Sequence, residues 1–225
     1  MQVCAFCRID VSDDPHEDHV PPHGLFAGNE NHELIKVPAC RKCNNGTAKD
    51  DEYFRLLALD FRASEVPAAQ KANEVNLRAM FKEKAAGLRR LIFSSLEPVE
   101  LYSEAGLYLG ETFKMRMSMK RLLRTVEKTV GGLYFHLKEQ PVPAEYRISC
   151  QCINTMNEEG GRVYHEQIAP MLSTLPIRTV GERVFRFQWG FQDTNPDTMF
   201  MQLGFYEIFD FIAFVVPPHI KPKQP

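Results

Sequence analysis

The chain begins with Cys4-Ala5-Phe6-Cys7 and reaches a second pair of cysteines at Cys40-Arg41-Lys42-Cys43, which Asn44 follows at once. Each CxxC turn presents two sulfur atoms to one ion, and two such pairs form a common ligand set for structural Zn²⁺. The spacing therefore predicts that zinc is bound by Cys4, Cys7, Cys40 and Cys43. The 32 residues between the pairs are enough for a small hairpin.

The segment between the two cysteine pairs contains the run Asp18-His19-Val20-Pro21. Residues 1 to about 49 as a whole are rich in Cys, His, Pro, Gly and Asn, and so short a segment buries little apolar surface. We therefore expect metal binding to supply much of its folding free energy. We assign residues 1–64 to this zinc-stapled module, and Asp18, His19 and Asn44 are its candidate site residues.

Composition limits the class of protein. The chain has 225 residues, 44% of them hydrophobic and 16 of them Phe, which is enough for one large core or two smaller ones. No signal peptide is evident and no apolar run approaches the ~20 residues that cross a bilayer, so we expect a cytoplasmic protein without a membrane partner. The net charge is -2, and residues 1–64 carry 11 acidic against 7 basic residues. Charge alone does not indicate a nucleic-acid partner.

Hydrophobic periodicity predicts the elements that follow the cysteine pairs. Helical spacing and capping signals predict helices over residues 49–63, 68–96 and 113–130, the last ended by Gly131-Gly132. Residues 101–109 are typical of a hairpin or a loop. Alternating aromatic and β-branched residues predict strands of one antiparallel sheet over residues 146–154, 183–192 and 199–216. Cys150, Cys152 and the aromatic residues of these strands are predicted to be core.

The expected fold is therefore α+β. A small N-terminal Cys4 module over residues 1–64 precedes a larger helix-plus-antiparallel-sheet domain of unknown role over residues 65–216. The proline-rich residues 217–225 are expected to form a flexible tail.

Basic residues recur on the third predicted helix. Arg116, Lys120, Arg124 and Lys128 are spaced four residues apart, with Lys114 and Arg121 beside them and Glu127 as the one acidic residue. Such a stripe, together with Lys49 near the module's site, is a candidate nucleic-acid-binding surface. A solvated helix face is an equally valid interpretation.

Taken together, Cys4-x-x-Cys7, Asp18-His19-Val20-Pro21, Cys40-x-x-Cys43-Asn44 and Lys49 resemble the HNH endonucleases, specifically the zinc-stapled ββα-metal or His-Me finger kind. The resemblance covers roughly the first quarter of the chain. It implies a hairpin that leads into a short helix, with DNA phosphodiester hydrolysis as the activity. It further implies His19 as the general base and a catalytic Mg²⁺ or Mn²⁺ held by Asp18 and Asn44. RNA as a substrate and a homodimeric state remain open.

Phosphodiester hydrolysis suits these residue types. The reaction needs a water molecule deprotonated near neutral pH and a counter-charge for the phosphate and leaving oxygens, which imidazole and a hard cation supply. Carboxylate and amide oxygens are ligands that Mg²⁺ and Mn²⁺ prefer. Neighbouring strand residues point to opposite faces, so Asp18 and His19 can share a site if the strand bends or bulges, or if His19 reaches around its end.

One element of the family pattern is missing. The family's middle Asn, which orients the base, has no counterpart in residues 34–39, and Asn31 or Glu33 is the candidate replacement. His23 and His32 are candidate contacts to phosphate or metal, or ordinary loop histidines. An alternative function is therefore a catalytically inactive zinc-stapled module that binds nucleic acid or a protein, and residues 65–216 are open to a sensor role.

Overall fold

A computed structural model of the chain describes residues 2–26, 34–58, 67–181 and 183–218. The fold combines helices with antiparallel sheets, and the predicted α+β class is confirmed. None of the described helices has both the length and the apolar character needed to span a membrane. The predicted boundary between residues 64 and 65, and the tail from residue 219 onwards, lie outside the described residues.

The first two strands form a short hairpin, β1 (His16–Val20) and β2 (Ile35–Ala39). They pair antiparallel without a register shift. Alternate residues of both strands are buried, so one face of the hairpin packs on the body. The chain then enters α1 (Arg41–Gly46) directly after Cys40 and continues into α2 (Ala48–Ala58). The end of the helix predicted over residues 49–63 lies outside the described residues.

The helix predicted over residues 68–96 is two helices, α3 (Pro67–Met80) and α4 (Ala86–Ser94). Lys82 between them has an extended backbone with ψ 150°, which stops the helical hydrogen bonding. After α4 the chain forms a second hairpin, β3 (Leu96–Tyr102) and β4 (Tyr108–Met115). Of the hairpin or loop predicted over residues 101–109, the structure shows the hairpin, with strands that extend well beyond these residues.

The longest helix is α5 (Met119–Lys138), and the prediction of residues 113–130 is wrong at both ends. The first residues of the predicted helix, 113–115, belong to β4. At the other end, α5 continues through Gly131-Gly132 to Lys138. A Cβ atom at Gly132 would lie 2.4 Å from Val20 Cγ2, so glycine here permits α5 to pack closely on β1 and does not end the helix. The helix ends at Glu139, whose φ is 56°.

The remaining described strands form one antiparallel sheet, as predicted, and this sheet has five strands. Its order is β5-β9-β8-β7-β6, and the strands are β5 (Arg147–Cys152), β6 (Arg178–Val180), β7 (Phe185–Gln192), β8 (Asn195–Phe205) and β9 (Phe209–Val216). The segment predicted as one strand over residues 199–216 contains parts of two, because Tyr206 and Glu207 adopt φ of 53° and 59° and reverse the chain. Two short helices, α6 (Glu158–Val163) and α7 (Ala169–Leu172), cover part of the outer face of the sheet.

One hydrophobic core joins the first hairpin to the five-stranded sheet. One face of α5 is almost fully buried in the middle of the helix. The side chains of this face, Leu122, Val126, Val130 and Leu133, are at most 2% exposed. Residues before and after the predicted module boundary share this core, among them Val20, Phe54, Phe205 and Phe211. Cys150 and Cys152 also pack in it, which confirms their predicted role.

Candidate functional site

Four cysteines gather where β1 begins and β2 ends, as their spacing predicts. Their sulfur atoms all lie within 4.8 Å of one another, and Cys7 Sγ is 3.7 Å from Cys40 Sγ. Zn–S bonds of about 2.3 Å in a tetrahedron place the sulfurs about 3.8 Å apart. The cluster of Cys4, Cys7, Cys40 and Cys43 therefore has the dimensions of a site for a metal ion such as zinc.

Two tight turns of backbone position the cysteines. In the first, the Arg8 N–H donates to the Cys4 carbonyl at 3.0 Å, and Arg8 adopts a φ of 66°. In the second, Cys40 caps α1, and its sulfur accepts a hydrogen bond from the Cys43 N–H at 3.4 Å. That bond and contacts with the other three cysteine sulfurs together lower the pKa of the Cys40 thiol to about 7, which favours the thiolate form that binds metal.

Asp18, His19 and Asn44 border one cleft of about 360 Å³. No bulge interrupts β1, so Asp18 and His19 leave the strand on opposite faces. Both side chains nonetheless border the cleft. Asn44 lies on α1, and its Nδ2 donates to the Glu17 carbonyl at 3.2 Å, which ties the helix to β1.

The Asp18 carboxylate is paired with a lysine from the middle of α5. Lys128 Nζ lies 2.6 Å from Asp18 Oδ2, and both side chains are 10% exposed. The same ammonium group donates to Thr47 Oγ1 at 2.9 Å and to the Asn44 carbonyl at 3.3 Å, and it lies 4.0 Å from Asp51 Oδ2. Lys128 is therefore a largely buried cation beside the candidate site. The prediction that it lies on a solvent-facing stripe is wrong.

His19 is half-buried and faces His23, with the two ring centroids 5.2 Å apart. Burial, and secondarily the neighbouring His23, lower the pKa of His19. A lowered pKa favours the neutral imidazole, which is the form that accepts a proton. His23 borders the same cleft, so the structure brings it next to the predicted base.

Two residues of α2, Glu52 and Arg55, also border this cleft, and the sequence prediction missed both. The Arg55 side chain passes Gly24, where a Cβ atom would lie 3.3 Å from Arg55 Nη1. Its buried Nε has no hydrogen-bond partner within the part of the chain that the structure describes. Helical spacing could have indicated both residues, because α2 starts just after Asn44 and turns one face toward the cleft. The residues of that face are Ala48, Asp51, Glu52 and Arg55.

The predicted cationic stripe is not a single helical face. Lys114 belongs to β4, and Arg116 precedes α5. Arg116 forms an ion pair with Glu97 of β3 at the base of the second hairpin. The expected run of unopposed cations on one helix is therefore wrong.

Two further members of the stripe share one acidic partner on α2. Arg121 and Arg124 lie 2.6 Å and 3.3 Å from the carboxylate oxygens of Asp50. These pairs join α5 to α2 and reduce the net positive charge of the surface. Lys49 and Lys120 are exposed, and a role for them in nucleic-acid binding stays a prediction.

The candidate replacements for the family's middle Asn, Asn31 and Glu33, lie outside the described residues, as does His32. No family model, curated protein or solved structure matches the chain. The assignment of a function therefore depends on the arrangement of the site itself.

Proposed function

We propose that the chain is a metal-dependent endonuclease of the HNH type that hydrolyses DNA phosphodiester bonds. The observation that carries the proposal is the convergence of Asp18, His19 and Asn44 on one cleft beside the cysteine cluster. In this proposal His19 is the general base, and Asp18 and Asn44 hold a divalent ion. RNA stays open as the alternative substrate class.

Two oxygen atoms at the site suit a hard cation. Asn44 uses its Nδ2 to bind the Glu17 carbonyl, so Oδ1 is the amide atom left for a ligand. Asp18 pairs with Lys128 through Oδ2, which leaves Oδ1 for an ion. One carboxylate and one amide oxygen are a donor set that Mg²⁺ and Mn²⁺ accept. Such an ion, when bound, supplies counter-charge for the phosphate and leaving oxygens.

The protein's own groups account for the other requirements of hydrolysis. The imidazole of His19 accepts the proton of the attacking water, and the guanidinium of Arg55 provides a fixed positive charge for the phosphate. Metal binding by Cys43 fixes the first turn of α1. Because Asn44 is the next residue, the cysteine cluster also fixes the position of this ligand.

A second candidate function is a catalytically inactive module that binds nucleic acid or a protein. One observation favours it: the Lys128 ammonium already neutralises the Asp18 carboxylate at 2.6 Å. A cation so close lowers the affinity of the carboxylate for a metal ion through Coulomb repulsion. This module would retain the cysteine cluster and the hairpin without cleaving DNA.

Cleavage of supercoiled plasmid separates the two functions. We expect the wild type to nick DNA when Mg²⁺ or Mn²⁺ is added, and His19→Ala to lower the rate by at least ~10²-fold, the usual contribution of general-base catalysis. The exposed His165 provides the matched control, because His165→Ala should retain the wild-type rate. The activity without metal is measured by omitting the ion, since a chelator would also remove zinc.

Two outcomes contradict the nuclease proposal. One is a wild type that binds DNA without cleaving it under any of these ions, and the other is a His19→Ala variant that cleaves at the wild-type rate. Arg55→Gln tests the phosphate contact separately. It should raise KM more than it lowers kcat, because the guanidinium binds the phosphate and transfers no proton.

A further inference from the structure

The outer face of the five-stranded sheet contains a separate cavity of about 270 Å³, which shares no lining residue with the cleft around Asp18. It lies between this face and the chain segment that includes α6 and α7. Strands β7 and β8 form its floor, and residues 164–177 form its cover and mouth. The residues on which its chemistry depends are Tyr164, Ser173, Arg186, Gln188, Gln202 and Gly204.

The floor of this cavity is polar, whereas a covered sheet face is normally apolar. Phe187 and Leu203 pack in the main core, so the neighbouring Gln188 and Gln202 lie on the opposite face of the sheet. The two glutamines stand directly opposite each other on adjacent strands. Gln188 is only 8% exposed. A buried amide is costly unless it forms hydrogen bonds, so this pair of amides requires partners.

The two amides bind each other and leave one oxygen and one nitrogen for a ligand. Gln202 Oε1 accepts hydrogen bonds from Tyr164 Oη at 3.1 Å and from Gln188 Nε2 at 3.4 Å. Gln188 Oε1 and Gln202 Nε2 have no hydrogen-bond partner among the described residues, and neither atom is sealed from solvent. Turning both amides over exchanges these roles and still leaves one acceptor and one donor.

The backbone and the pKa of Tyr164 support this arrangement. Tyr164 begins a π-helical segment, Tyr164–Ile168, between α6 and α7. Such segments are rare, and they occur frequently at functional sites. Burial, and secondarily Asp210, raises the pKa of Tyr164, so its hydroxyl group keeps the proton that it donates to Gln202.

The charge at the cavity is balanced. Arg186 Nη2 lies 2.9 Å from Asp210 Oδ1 on the neighbouring end of β9. The arginine side chain passes Gly204, where a Cβ atom would lie 2.5 Å from Arg186 Nε. Because Asp210 neutralises the guanidinium, a phosphate or carboxylate would compete with it, and the cavity favours a neutral ligand.

We propose that this cavity binds a nucleobase, either free or as part of a nucleoside. An amide oxygen beside an amide nitrogen complements a base edge on which a donor lies next to an acceptor, and each nucleobase carries such an edge. A volume of about 270 Å³ is just below the usual range for ligand sites, roughly 300–1,000 Å³, so the cavity suits one base. A ribose would then lie at the mouth, beside the exposed Ser173. The proposal does not depend on nuclease activity.

Calorimetric titration with the four common ribonucleosides tests the proposal. At least one of them should bind, and the fully N-methylated analogue of its base should bind about tenfold more weakly, because it lacks the donor. Gln188→Met/Gln202→Met removes both amides at similar volume and should weaken binding by about tenfold or more. Gln192→Met, at the exposed end of the same β7, is the matched control and should retain the wild-type affinity.

A second variant keeps the test decisive if the double variant does not fold. Ser173 and Thr174 are both exposed, and each hydroxyl group donates to a nearby backbone carbonyl, but only Ser173 borders the cavity. Ser173→Trp should therefore obstruct the mouth and abolish binding, whereas Thr174→Trp should not.

Three results overturn the proposal. The first is that no nucleoside binds at roughly 1 mM. The second is a nucleoside that keeps its affinity in both Ser173→Trp and the glutamine double variant. The third is binding that is lost in His19→Ala, since that result places the nucleoside in the cleft around Asp18.

Discussion

The two short hairpins of this chain, β1–β2 and β3–β4, are alike in topology and opposite in environment. In the first, Val20, Ile35 and Val37 are buried beneath α5, and the cysteine cluster clamps the strand ends. In the second, no residue is buried. Because a two-stranded hairpin is marginal alone, each needs outside support. The first packs on its own chain and ends at a cysteine cluster that could hold a metal ion, whereas neither strand of the second has a buried residue to supply that support.

Among the variants that test this difference between the hairpins, removal of one cysteine should change the free energy of unfolding most. Cys40→Ser should abolish zinc binding and lower the free energy of unfolding by more than about 4 kcal/mol, because the metal supplies folding energy that the first hairpin lacks. Zinc content and thermal unfolding measure the two effects. Cys150→Ala, outside the cluster, should retain the metal. A Cys40→Ser protein as stable as the wild type would remove the distinction between the hairpins.

Removing the buried cation should have the next largest effect. Lys128→Met leaves the Asp18 carboxylate buried without a partner, and we expect a loss of about 3–5 kcal/mol in the free energy of unfolding. Denaturant titration measures the loss, and Lys120→Met, on the exposed face of the same helix, should change little. Adding Asp18→Asn to Lys128→Met should recover part of the loss. If the free-energy change of the double variant equals the sum of the changes of Asp18→Asn and Lys128→Met, the two groups are not coupled.

A pair of glycines gives the smallest effect and the most direct comparison. Gly132→Ala forces a Cβ atom to within 2.4 Å of Val20 Cγ2, so it should lower the free energy of unfolding by about 1–3 kcal/mol. Gly87→Ala, on α4, meets nothing within 4 Å and should raise the free energy of unfolding by about 0.5–1 kcal/mol through helix propensity. Thermal unfolding of both variants decides the matter. Effects of the same sign would mean that the two helices pack alike.

The sequence was sufficient for the cysteine cluster and for the class of the fold. Metal geometry constrains ligand spacing locally, so the two CxxC pairs could be read without knowing the rest of the structure. The strands of the five-stranded sheet were also evident, because their alternation reflects a sheet with a buried face. The place of Asn44 beside Asp18 and His19 followed from its position after Cys43.

Features that depend on distant contacts could not be read in this way. Gly132 can end a helix or permit close packing, and Val20, far away in sequence, decides between them. Lys128 belongs to a basic pattern, yet its side chain turns inward to Asp18. Arg55 reaches the cleft along a path that passes close to Gly24, on another segment of the chain. In each case the residue type is ambiguous, and the tertiary partner determines its role.

The pair between Asp18 and Lys128 also bears on synthesis of the chain. Domains generally fold in the direction of translation, and the first hairpin leaves the ribosome before α5 does. The lysine that compensates its buried carboxylate is translated about a hundred residues later, on α5. A chain translated only as far as α4 therefore contains all four cysteines of the cluster but lacks the cation that pairs with Asp18.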